Sequence, residues 1–139
     1  MSRITVGIDG SKNAHAAMEW AVDEARVRGA DLHLVHTWQI NGITNGYGMA
    51  EYYEACEQSS ATMLSEAVAW VSDHFEGRVT TTSECGGAVE ILARAAADSD
   101  LLVVGARGRD GFVGLVLGSV ASQLAHHAPC PLVIVPATV

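Results

Sequence analysis

Apolar runs of strand length alternate with helix-length patterns from one end of this sequence to the other. Residues 3–9 read as a first strand and 13–28 as a helix, with Ala17, Trp20, Ala21, Glu24 and Ala25 at helical spacing and Gly29 as its stop. A second strand over 31–37 runs into a Gly- and Asn-rich stretch, 38–49, with turn signals at Asn41-Gly42 and Asn45-Gly46. A long helical pattern covers 50–75, followed by a Val- and Thr-rich strand over 78–85. Gly86-Gly87 then leads into a helix over 88–97, a fourth strand over 100–105, a last helix over 118–127 and a fifth strand over 132–135. Such alternation predicts βαβ units: an α/β, doubly wound, five-stranded parallel sheet with helices on both faces. The fourth and fifth strands are continuous apolar runs, the pattern of strands buried on both sides.

Composition narrows the function classes. The 139 residues are expected to form one domain, 1–139, burying about two-thirds of the surface of the unfolded chain. A net charge of −8, with no basic arm or basic helix, argues against a nucleic-acid partner, which would require a cationic face to displace counterions. No stretch approaches the roughly 18 apolar residues of a membrane span, and Met1-Ser2-Arg3 runs straight into a strand with no leader pattern. Cys56, Cys85 and Cys130 are odd in number and far apart, without metal-binding spacing, and read as buried reduced thiols. The expected location is cytoplasmic, with no membrane partner.

The pattern with chemical content lies near the C-terminus. Gly105-Ala106-Arg107-Gly108 follows the apolar run Leu101-Leu102-Val103-Val104, and nine residues later Gly118-Ser119 opens a helix. Glycines after a strand let backbone amides approach a ligand, and a helix N-terminus aims free N–H groups and a positive dipole at the same place. That combination suits a phosphate. It is not a Walker loop, since no lysine follows the glycines, nor a dinucleotide fingerprint, since position 107 is arginine.

The spacing G-x2-G-x9-G-S, with Leu115-Val116-Leu117-Gly118-Ser119-Val120 and the tail from His127 to Val135, resembles the ATP-binding branch of the universal stress protein family. Ile4-Thr5-Val6-Gly7-Ile8-Asp9-Gly10-Ser11 resembles that family's first strand and turn. The resemblance implies a Rossmann-like strand order, 3-2-1-4-5. The order reverses between strands one and four, so Asp9 and Gly105 would flank the crevice where open α/β sheets bind ligands. It further implies ATP or another adenine nucleotide as ligand, with magnesium where a triphosphate is bound. Gly7, Ile8, Asp9, Thr37, Val104, Gly105, Arg107, Gly108, Gly118, Ser119 and Val120 are the implied binding residues.

Asp9 has two readings: a turn residue in Asp-Gly-Ser, or a carboxylate for a ribose hydroxyl or phosphate-bound magnesium. Ser11 reads as the cap of the following helix. Arg107 and Arg109 bracket Gly108, and either guanidinium suits phosphate; Arg107 lies inside the motif. Thr37 stands where the family usually has a small aliphatic residue whose backbone reads adenine. Ala121 and Ala88 depart from the Ser/Thr and Pro common in relatives. No histidine, serine or carboxylate set has catalytic spacing, so all six histidines and the three tryptophans read as structural, Trp38 adjoining the expected base site.

Three functions fit: a nucleotide-binding regulatory module of the stress response, a slow ATPase or phosphotransferase, and a nucleotide-free interaction module. The nucleotide is left open between ATP, AMP and cyclic AMP, which share adenine and ribose and among which relatives with this fold differ. The apolar strand Leu132-Val133-Ile134-Val135 is a sheet edge in the implied order, and the resemblance implies a homodimer pairing through it.

Overall fold

In a computed structural model, residues 2–40, 48–107 and 117–136 are described. The elements are β1 (Arg3–Ile8), α1 (Lys12–Arg28), β2 (Asp31–Trp38), α2 (Met49–Ser72), β3 (Val79–Cys85), α3 (Ala88–Ala95), β4 (Leu101–Gly105), α4 (Ser119–His127) and β5 (Leu132–Val135). All strand pairs are parallel, and the sheet order is β3-β2-β1-β4-β5, the order that the family resemblance implied.

Alternation along the strands sorts side chains between two cores. Ile4, Val6, Leu32, Leu34, Leu101 and Val103 face α1 and α2, where Ala17, Met18, Val22, Leu64 and Val71 close over them. Val35, Leu102 and Val104 face α3 and α4 and meet Ile91, Leu92, Ala121 and Leu124. Helix α1 begins because Ser11 Oγ accepts from Ala14 N–H at 3.0 Å, and it ends at Gly29, whose φ of 64° is left-handed.

Helix α2 ends three residues before the expected position 75. Asp73 N–H turns back to the carbonyls of Trp70 and Val71, tightening the last turn, and Phe75 leaves the helix to bury itself in the core. Strand β4 is buried on both faces as expected, but β5 is only half-buried at every position, because its outer flank has no neighbouring strand. Cys85 is exposed rather than buried, at the open end of edge strand β3; Cys56 and Cys130 are half-buried, and all three are free thiols. Among the described residues, no helix is long and apolar enough to cross a membrane.

Candidate functional site

The C-terminal ends of β1 and β4 lie side by side where the strand order reverses. After β1 the chain makes a tight turn. Ser11 donates to Asp9 Oδ1 twice, from its N–H at 2.9 Å and its hydroxyl at 2.5 Å. Between them Gly10 has φ of 80°, a left-handed conformation that favours glycine, and a Cβ there would stand 3.1 Å from the movable end of Met63. The turn reading of Asp9 is therefore real, and it uses one oxygen. Oδ2 accepts no hydrogen bond among the described residues.

At the end of β4, a Cβ on Gly105 would stand 2.9 Å from the backbone C and O of Asn13, so α1 and the strand touch backbone to backbone. Arg107 N–H donates to Asn13 Oδ1 at 2.6 Å. Gly118 N–H donates to Ala106 O at 2.6 Å, which brings the two ends of the glycine motif together. Helix α4 has no side-chain cap, and its first intrahelical bond runs from Ser122 N–H to Gly118 O at 3.0 Å. The amides of Ser119, Val120 and Ala121 thus precede the helical ladder, as donors available to an anion.

A cavity of about 520 Å³ adjoins this terminus, walled by the end of β2, the β3–α3 turn and the first turns of α3 and α4. Its size falls in the range of small-molecule sites, about 300–1,000 Å³. Thr37, Ser119 and Val120, all named from the sequence, line it, with Trp38 beside them. Trp38 is held by its indole N–H to Ser83 Oγ at 3.3 Å and by an edge contact with Tyr53 at 4.8 Å.

Asp9, Gly105, Arg107 and Gly118 form the hydrogen-bonded frame around the N-termini of α1 and α4. Gly7, Ile8 and Val104 lie deeper. Gly7 packs under Leu92 and Val104, and the Ile8 and Val104 side chains belong to the two cores, so only backbone groups of these three are available to a ligand. Gly108 and Arg109 lie outside the described residues. Among the described residues, no group of three or more His, Cys, Asp or Glu can hold a metal ion. Asp9 alone would meet a magnesium already carried by phosphate.

Sequence reasoning passed over Gln39, Glu90 and Gln123 on the cavity wall, and Asn13 in the frame. Only the Gly86-Gly87 pair hinted at the wall: Gly86 has φ of 147°, and Glu90 Oε2 and Gln39 Nε2 both come within 4 Å of where a Gly87 side chain would start.

The model of the universal stress protein family matches residues 1–136. The chain belongs to the universal stress protein family. A universal stress protein of Mycolicibacterium smegmatis is 35% identical over 133 residues, covering 95% of this chain and 45% of the relative. The chain spans less than half the length of the curated relatives it matches. Among solved structures, the universal stress protein UspA of Lactobacillus plantarum superposes with a TM-score of 0.82 at 22% identity, covering 96% of this chain and 97% of its own. A universal stress protein in complex with cAMP gives 0.74 at 23%, covering 96% of each chain. A family member from Arabidopsis thaliana with AMP bound gives 0.68 at 17%, covering 97% of this chain and 91% of its own.

Proposed function

We propose that this chain is a nucleotide-binding regulatory module, binding an adenine nucleotide, ATP foremost, between the ends of β1, β2 and β4 and the start of α4. The observation that carries this reading is the Gly118–Ala106 hydrogen bond, because it closes the glycine motif beside an uncapped helix N-terminus that opens on a cavity of ligand size. The cAMP and AMP in the two related structures give the ligand class. In this reading the Ser119 and Val120 amides, the Ser119 hydroxyl and the Arg107–Gly108 segment take the phosphates. Asp9 takes a ribose hydroxyl or the magnesium that screens the phosphate charge, and the Thr37 backbone and Trp38 meet the base.

Binding is favoured over turnover because, among the described residues, no general base stands in the cavity beyond the exposed Glu90. The relatives' ligands favour one second reading, a sensor of AMP or cyclic AMP. Two copies are taken to pair through β5, whose half-buried apolar strand is an open edge, and the location is taken as cytoplasmic. The test is to denature the purified protein and identify released nucleotide by chromatography and mass, then to titrate the empty protein with ATP, AMP and cyclic AMP. Released or titrated ATP supports the first reading, and exclusive binding of a monophosphate supports the second. A chain that binds none at millimolar concentration is an interaction module instead.

A further inference from the structure

One peptide unit joins the two halves of the motif. The unit between Ala106 and Arg107 donates its N–H to Asn13 Oδ1 at 2.6 Å and accepts Gly118 N–H on its carbonyl, also at 2.6 Å. In a trans peptide these two groups point in opposite directions, so fixing the N–H also fixes the direction of the C=O. The chain of bonds therefore runs from the first turn of α1, through the end of β4, to the N-cap of α4. Aligned bonds of this kind polarise one another. Asn13 is half-buried, and Gly105 lies against its backbone with no room for a side chain, so the Asn13 side-chain amide is held level with the Ala106–Arg107 peptide.

Resting on the nucleotide-binding reading above, we propose that Asn13 is the positioning residue of the phosphate subsite: it orients the Ala106–Arg107 peptide so that the peptide holds the α4 N-terminus ready for phosphate. It touches no ligand in this role. Its effect appears only where phosphate is bound, because the base and ribose are met by β1 and β2. Preorganised donors bind an anion without first losing conformational freedom, and removing Asn13 returns that cost to the binding step.

The test is isothermal titration of the full chain with AMP, ATP and adenosine, comparing wild type with Asn13→Ala. The expected result is a loss of about fivefold in affinity for AMP and ATP, the effect of one hydrogen bond, with adenosine unchanged within about twofold. Asn13→Ser, whose side chain is too short to reach Arg107 but suits a helix first turn, gives the same result and serves if the alanine variant does not fold. Equal losses for all three ligands mean a merely structural residue and overturn the proposal, as does no loss at all. Those outcomes leave wild-type binding intact and so leave the nucleotide reading standing. A wild-type chain that binds neither AMP nor ATP overturns both.

Discussion

His33 lies in the middle of the sheet with both ring nitrogens engaged by the neighbouring edge strand: Nδ1 is 2.6 Å from Thr80 Oγ1 and Nε2 is 2.9 Å from Thr82 Oγ1. A neutral ring needs one donor and one acceptor, and a hydroxyl supplies either. Burial, reinforced by the Arg3 guanidinium, lowers the His33 pKa from 6.5 to about 4. As pH falls, the unfolded chain takes up this proton first. The contribution of His33 to stability is therefore complete above pH 6.5 and is lost between there and about 4, amounting to at most about 3 kcal/mol. Urea unfolding of wild type and His33→Gln from pH 7.5 to 4.5 should show the difference between them shrinking with acidity; a constant difference would refute this. Gly105 gives a steric prediction at the same scale. Gly105→Ala brings Cβ to 2.9 Å from Asn13 backbone atoms and should cost about 1–3 kcal/mol in thermal unfolding, together with nucleotide affinity. The Asp9 turn was legible because Asp-Gly-Ser at a strand end carries backbone meaning by itself, whereas Gly105 and Gly118 gained theirs from the spacing and flanking sequence that resemble the family. Asn13 was not, because its partner lies 94 residues away and an asparagine in a first helical turn looks ordinary.

Among the elements, α4 carries the clearest prediction. The Ser119 side chain caps nothing and makes no hydrogen bond among the described residues, so the helix does not need its hydroxyl. Ser119→Ala should leave the melting temperature within about 1 °C, since nothing named for stability changes. It should weaken AMP binding about tenfold, the effect of one lost charge-assisted hydrogen bond. A parallel drop in melting temperature would instead give Ser119 a structural role. Helix α2 meets the sheet through polar atoms as well as apolar ones. Its fully buried Ser60 lies 2.6 Å from His36 Nδ1 on β2 and 2.6 Å from Ser83 Oγ on β3. Ser60→Ala should cost about 1–3 kcal/mol in urea unfolding, the penalty of leaving those partners without it. The element order and type were readable throughout from hydrophobic period. The early end of α2 was not, because the core reaches out for Phe75 and that demand is tertiary; nor was the half-burial of β5, since an apolar run reads the same at an edge as at the centre.

For the molecule as a whole, the reversal point of the sheet gathers residues from positions 9 to 119 into one frame, and this was legible only through the family's strand order. Lateral periodicity says which face a residue takes, not which strand lies next to which. The proposed pairing predicts that light scattering at micromolar concentration gives twice the 14.6 kDa of one chain; a monomer at that concentration would refute it. The two rims of the sheet are chemically unlike. On β3, Thr80 and Thr82 are drawn into contact with His33, and Glu84 is paired with Arg94, so that rim presents engaged hydroxyls and charge rather than bare apolar strand. If copies meet rim to rim, the aliphatic β5 of one finds a matching surface only in the β5 of another. A head-to-tail union of β5 with β3 would leave a fresh end each time and grow into a filament, whereas a like-with-like union uses up both ends. In the proposed pairing the β3 rim would then act as a chain terminator, giving assembly a first step and no second.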